Sequence, residues 1–214
     1  MSSELGTSEE VLVHSHVTAF DYQSPEKIRE MSWKVAGKVA ADLEHFKPTM
    51  MVALWRGGAS VGMYIHEYLK RQAGLDLDHT AIRTRSYVAP GEASSKVHIQ
   101  SLRYLIKHAN KDTHLLLIDD IFDSGLTVEA FLHKLKRKMG DNTPTHIRIA
   151  TPYWKPDNNK TQLKPDYYVK TVPGNTWIVF PHEISDFSSD EKLAQAMGHH
   201  SLDALLSAKV PSSS

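Results

Sequence analysis

The chain has 214 residues, 41% of them hydrophobic, which is enough for one domain with a well-buried core. Its 25 Lys and Arg balance 25 Asp and Glu, so no overall field points to nucleic acid or to an anionic membrane surface. Cys is absent, which excludes disulfides, thiolate metal sites and a cysteine nucleophile. The stretch from Met1 to Glu10 is polar and acidic, unlike a signal peptide, and no apolar run is long enough to span a bilayer, so a cytoplasmic protein is expected.

Residues 1–20 read as a loose arm or a short strand. Ser24-Pro25-Glu26 then has the form of a helix start, with a capping residue, a proline at the first position and an acid in the first turn. Ile28, Met31, Val35, Val39, Leu43 and Phe46 continue at helical spacing until Pro48. Met50 to Leu54 is a buried-strand candidate that ends in Trp55-Arg56-Gly57-Gly58. Val61, Ile65, Tyr68 and Leu69 resume helical spacing, closed by Gly74. Adjacent glycines let a backbone approach a ligand with its N–H groups exposed, and Arg56 sets a cation beside them. His79 to Arg83 is a third extended stretch. Thr84 to His98 is polar and turn-rich, and with Arg83, Arg85 and Lys96 it reads as a basic functional loop or a disordered one. Leu102, Leu105 and Ile106 suggest a helix.

Leu115 to Ile118 is a run of four aliphatic residues that enters Asp119-Asp120-Ile121-Phe122-Asp123-Ser124-Gly125-Leu126-Thr127. Val128, Phe131, Leu132, Leu135 and Met139 then mark one helix face, so the segment reads as strand, loop, helix. Thr145 to Thr151 is a further strand candidate, after which Tyr153 to Pro156 should end regular structure. Asp166 to Val169 and Trp177 to Phe180 are short strands separated by Pro173-Gly174. The tail has weak helix signals at Leu193, Met197, Leu202 and Leu205. Repeated strand–helix alternation argues for an α/β parallel sheet flanked by helices. The segment from about 152 to 185 breaks that rhythm and reads as a small hood subdomain over the sheet edge.

Ligands of open α/β sheets sit beyond the carboxyl ends of strands, where the 119–127 loop falls. The turn from Ser124 to Thr127 feeds a helix N-terminus, whose free N–H groups and dipole favour a phosphate. Carboxylates repel phosphate, so the neighbouring Asp119, Asp120 and Asp123 need another task. They could bind sugar hydroxyls, sit near a divalent cation, or move a proton. GxxxxGK[ST] and GxGxxG loops are both absent, which removes the main support for an ordinary ATPase or dinucleotide dehydrogenase. Asn159-Lys160-Thr161 matches a glycosylation acceptor by chance, and His199-His200 reads as a solvated helix end rather than a metal site.

The 115–127 stretch resembles the phosphoribosyl-pyrophosphate (PRPP) motif of the type I phosphoribosyltransferases, and similarity extends from about 48 to 185. Trp55-Arg56-Gly57-Gly58 resembles the family's pyrophosphate loop. Arg85-Ser86-Tyr87 resembles the start of its mobile catalytic loop. Lys155 with Trp177-Ile178 resembles the hood of the 6-oxopurine branch, which handles hypoxanthine, guanine or xanthine. The resemblance implies one phosphoribosyltransferase domain over 1–214, with a core at about 24–151, a base-binding hood at 152–185 and a tail at 186–214. It implies PRPP and a purine base as substrates, Mg²⁺ as cofactor, and a homodimer or homotetramer. Arg56, Gly57, Gly58, Asp119, Asp120, Ser124, Gly125, Leu126 and Thr127 would bind PRPP, and Asp119, Asp120 and Glu183 would lie toward the metal. Lys155 would meet the 6-oxo group, Trp177 would stack on the base, and Ile178 would offer backbone groups to its edge. Asp123 would handle the N7 proton, while Ser86 and Tyr87 close over the substrates. His182 stands where the hood pattern of xanthine/guanine-type enzymes has Trp. Two other readings use the same core: a phosphoribosyltransferase for a different base, and a non-catalytic PRPP- or nucleotide-sensing regulator.

Overall fold

The computed structural model describes residues 17–87, 96–100, 102–187, 189 and 193. It divides into a larger unit, Glu26–Val172, and a smaller one formed by the chain up to Pro25 together with the chain from Pro173 onward.

The larger unit is organised by strands that are apolar almost throughout. β2 (Met50–Trp55) is buried at every position but its last. β5 (His114–Ile118) is fully buried from Leu115 to Ile118. Such runs suit interior strands of a parallel sheet covered on both faces. Each buried aliphatic side chain contributes roughly 1.5–3 kcal/mol relative to exposure. β3 (Asp78–Tyr87) and β5 flank β2, both parallel to it, and β7 (His146–Trp154) lies parallel beyond β5. β4 (Lys96–Ile99) returns antiparallel on the outer edge of β3. β6 is only Ile121–Phe122, and it resumes the pairing with β7 after the register of β5 with β7 ends at Ile118. β8 (Tyr167–Thr171) runs parallel on the opposite edge of β7.

The helices follow the expected spacing. α1 (Pro25–Ala41) buries Ile28, Met31, Val35 and Val39. α2 (Gly57–Ala73) buries Val61, Ile65 and Leu69, and Gly74 closes it in the left-handed conformation at φ 67°. α3 spans Arg103–His108. α4 (Leu126–Met139) buries Val128, Phe131 and Leu135 against the sheet. Short 3₁₀ turns occur at Gly140–Asn142, Pro156–Asn158 and Ile184–Asp186.

Several boundaries differ from those read in the sequence. The 84–98 loop is narrower, because β3 continues through Ser86 and Tyr87 and pairs with Val97 and Lys96 of β4. Residues 88–95 lie outside the described residues, as do His199 and His200. α1 stops at Ala41, short of Phe46, and β7 runs on to Trp154. Residues 152–172 belong to the larger unit, since β8 extends the sheet there.

The smaller unit is a two-stranded parallel pair of β1 (Ala19–Tyr22) and β9 (Thr176–Val179). Its second strand therefore comes from the N-terminal end of the chain rather than from the 152–172 segment. Asn175 Nδ2 donates to Thr18 Oγ1 at 2.7 Å, and His182 stacks on Phe180 with ring centroids 5.3 Å apart. Of the tail, Leu193 is described and is buried.

Candidate active site

Register brings two loops together at the carboxyl ends of the central strands. Ala53 of β2 lies beside Ile118 of β5, so Trp55-Arg56 and Asp119-Asp120 emerge side by side. Gly57 and Gly58 are not part of a loop but the first turn of α2, and both are buried. A β-carbon on Gly57 would fall 1.7 Å from Asp120 Oδ2. One on Gly58 would fall 2.5 Å from the Ile118 carbonyl oxygen. The glycine pair thus lets α2 begin directly against the end of β5. Trp55 and Arg56 remain exposed beside it.

The acids differ from one another. Asp120 is 9% exposed. Its Oδ1 accepts from the Ile121 N–H at 2.9 Å, and its carboxylate faces the start of α2. Asp119 is partly buried. Its N–H donates to the Ala150 carbonyl at 3.2 Å, and its Oδ1 accepts from the Asp120 N–H at 3.1 Å. Burial, followed by the neighbouring Asp120 charge, pushes the Asp119 carboxyl well above the usual carboxylate range. Among the described residues no three His, Asp or Glu side chains gather to hold a metal ion. A pair of carboxylates fits a hard cation that takes most of its oxygen ligands from substrate and water. Glu183 lies in the smaller unit, where its Oε2 accepts from the Phe180 N–H at 3.0 Å.

Asp123 is placed by β6. Phe122 pairs with Trp154, and the Lys155 N–H donates to the Phe122 carbonyl at 2.9 Å, so the next residues along, Asp123 and Lys155, face each other. Lys155 Nζ lies 3.1 Å from Asp123 Oδ2, with Lys155 buried and Asp123 half-exposed. The other carboxylate oxygen, Oδ1, accepts from Asn158 Nδ2 at 2.8 Å. Asn158 was not singled out from the sequence. A short polar turn after Pro156 gives no sign of its partner.

The 124–127 turn also has a partner that sequence reading missed. Gly125 is left-handed, at φ 76°, and precedes α4. A β-carbon there would meet Thr161 Oγ1 at 2.5 Å and Asn159 Oδ1 at 3.0 Å. The Lys160 N–H donates to the Ser124 carbonyl at 2.9 Å. Asn159 Oδ1 accepts from both the N–H and the hydroxyl of Thr161, and Asn159 Nδ2 donates to the Leu163 carbonyl. The apparent glycosylation acceptor is therefore a brace for the turn. Ser124 Oγ accepts from the Leu126 N–H at 3.4 Å. The remaining first-turn N–H groups of α4 suit an oxyanion.

The larger unit thus brings Gly57, Gly58, Asp119, Asp120, Asp123, Ser124 to Thr127 and Lys155 to one end of its sheet. The backbone of Ser86 and Tyr87 lies in β3. Trp177 and Ile178 lie on β9 of the smaller unit, where Trp177 pairs with Phe20 and Ile178 is buried.

The larger unit is thus an α/β protein with a mostly parallel sheet and an acid-bearing turn at the start of α4. The phosphoribosyl transferase domain family matches residues 22–191, and the chain belongs to it. It is 22% identical over 199 residues to the hypoxanthine-guanine phosphoribosyltransferase of Schizosaccharomyces pombe, covering 83% of this chain and 95% of that one. It is 25% identical over 162 residues to the xanthine-guanine phosphoribosyltransferase of Ruegeria sp., covering 73% and 79%. Among solved structures, the purine phosphoribosyltransferase of Pyrococcus horikoshii superposes with a TM-score of 0.57 at 25% identity, covering 75% of this chain and 91% of that one.

Proposed function

We propose that the protein is a purine-salvage enzyme that transfers the 5-phosphoribosyl group of PRPP to N9 of hypoxanthine, guanine or xanthine. The observation that carries this reading is the Asp123–Lys155 pair at the ends of β6 and β7. A purine needs a donor for its 6-oxo group and an acceptor for its N7 proton. This pair supplies an ammonium and a carboxylate 3.1 Å apart. An ammonium would face the amino group of adenine unfavourably, and a polar site left unpaired discriminates strongly.

In the proposed reaction, the C1′–oxygen bond to pyrophosphate breaks and its electron pair leaves with the pyrophosphate. The N9 lone pair forms the new bond to C1′. The N7 proton passes to the Asp123 carboxylate. The first turn of α4, from Ser124 to Thr127, holds the 5′-phosphate, and Asp119 faces the ribose hydroxyls. The N–H groups at the start of α2, with Arg56, hold the pyrophosphate. Mg²⁺ is proposed as cofactor, with Asp119 and Asp120 as its protein-side oxygen donors. When bound it would offset charge on the pyrophosphate. The roles of Trp177 and Ile178 at the base, of Glu183 toward the metal shell, and of Ser86 and Tyr87 in excluding water rest on the family resemblance. The same resemblance suggests a homodimer or homotetramer in the cytoplasm. No described helix is long and apolar enough to cross a membrane.

The test is direct. Purified protein, PRPP and Mg²⁺ are mixed in turn with hypoxanthine, guanine, xanthine, adenine and orotate, and nucleotide formation is followed with and without chelator. Nucleotide from a 6-oxopurine but not from adenine or orotate is expected. No product from any 6-oxopurine would overturn the reading, and undiminished turnover in chelator would remove the metal.

A further inference from the structure

Asp123 is held at both oxygens, by two residues of different kinds. Lys155 Nζ takes Oδ2 at 3.1 Å, and Asn158 Nδ2 takes Oδ1 at 2.8 Å. Only the amide NH₂ of Asn158 can meet a carboxylate oxygen favourably, so the orientation of the side chain is fixed by the chemistry. Asn158 is itself fixed. It closes the 3₁₀ turn Pro156–Asn158, and its N–H donates to the Lys155 carbonyl at 3.2 Å. One residue further on begins the Asn159–Leu163 brace, which packs against Gly125 and Ser124.

We propose that Asn158 is a positioning residue: its side-chain amide fixes the Asp123 carboxylate for the base, and the loop that carries it ties that carboxylate to the turn at the start of α4. The proposal deepens the transferase reading and rests on it. Lys155 faces two demands under that reading, since it pairs with Asp123 and is to meet the 6-oxo group. A second donor on Asp123 keeps the carboxylate in place when the ammonium shares itself with substrate. A neutral amide suits this task better than a second cation, because it orients the carboxylate without removing its capacity to accept a proton.

The charged groups on the elements that meet here are Lys155 at the end of β7, Asp119 and Asp120 ahead of β6, the exposed Asp157 on the turn that carries Asn158, and the exposed Lys160 on the following loop. None of them replaces the contact to Oδ1. Asn158→Ala removes that contact. Asn158→Asp keeps the size and shape but sets a second carboxylate against the first, and two carboxylates this close cannot both be ionised.

The experiment combines steady-state kinetics with PRPP, calorimetric PRPP binding, and carbon-detected NMR titration of the Asp123 carboxyl in wild type and both variants. In Asn158→Ala, kcat should fall about tenfold or more while PRPP affinity and the unfolding midpoint hold. In both variants the Asp123 carboxyl should titrate at higher pH than in wild type, and more so in Asn158→Asp. The acid limb of kcat/KM should move with it. An unchanged Asp123 titration in both variants overturns the proposal, as does a full kcat in Asn158→Ala. Should Asn158→Ala unfold, the isosteric Asn158→Asp carries the same comparison. If wild type makes no nucleotide from any 6-oxopurine, the transferase reading fails on its own. The Asp123 titration then still decides whether Asn158 governs the carboxylate.

Discussion

The carboxylate of Asp120 occupies the space that a β-carbon on Gly57 would need: such an atom would lie 1.7 Å from Oδ2. Two residues far apart in sequence are therefore a single packing unit. Gly57→Ala should displace the Asp120 side chain and lower stability by about 1–3 kcal/mol, as overpacking of a tight site does. PRPP affinity should fall with it. Thermal unfolding and calorimetry check both effects. Adding Asp120→Gly in the same chain should return part of the lost stability. Strict additivity of the two substitutions would show that the residues are not coupled.

Asp123→Asn keeps the shape of the side chain and removes its capacity to take a proton. Turnover should fall by about 10²–10⁴, the usual contribution of a general acid or base, while PRPP binding changes little. Single-turnover kinetics beside a PRPP titration separate the two. Equal losses in both would reassign Asp123 to substrate binding.

Lys155→Met removes the buried ammonium and preserves most of its apolar length. The KM for the base should rise about 10- to 100-fold, the worth of a hydrogen bond to a charged group, with PRPP affinity preserved. The measurement is a base titration at saturating PRPP. An unchanged base KM would leave Lys155 as a structural partner of Asp123 and nothing more.

The raised Asp119 carboxyl has a consequence for stability. A carboxyl whose pKa is raised on folding favours the folded state fully below the ordinary carboxylate range. That support is lost as pH rises from there through the raised value. Asp119→Asn is neutral throughout, so it should unfold a few degrees above wild type at neutral pH. The gap should close on acidification to about pH 4. PRPP binding should meanwhile be weakened. Unfolding midpoints measured across pH test the sign, and a gap that widens toward acid would contradict it.

Gly125→Ala meets a left-handed backbone at φ 76° and a crowded site, where the Thr161 hydroxyl would lie 2.5 Å from the new carbon. The backbone term alone costs about 1–2 kcal/mol. The loss should appear both in thermal unfolding and in affinity for a 5′-phosphorylated ribose. Pairing Gly125→Ala with Thr161→Ala should recover only part of the steric cost, because Asn159 Oδ1 and Phe122 Cζ still lie 3.0 Å from the new carbon.

What could be read from the sequence was local. Leu115 to Ile118, the two acids and the turn into α4 are contiguous, and their order alone gives strand, loop and helix. Gly57 and Gly58 were recognisable as a place of close approach. What approaches them, the Asp120 side chain and the Ile118 carbonyl, depends on β2 lying beside β5. Asn158 was invisible because its bond to Asp123 depends on β6 and β7 meeting in one register. β4 escaped notice because a four-residue edge strand carries too few apolar positions to show a period. The second strand of the smaller unit could not be placed, since β1 and β9 come from opposite ends of the chain and no local pattern announces a pairing of that span.

The short connection between β7 and β8 holds Asp123 through Asn158 and buttresses Gly125 through Asn159 and Thr161. It cannot be swapped as an independent cassette. Transplanting a relative's 155–163 segment to change base preference would import a brace cut for a different turn. A workable chimera should carry residues 121–127 along with it, so that the two halves of the interlock arrive already fitted to each other.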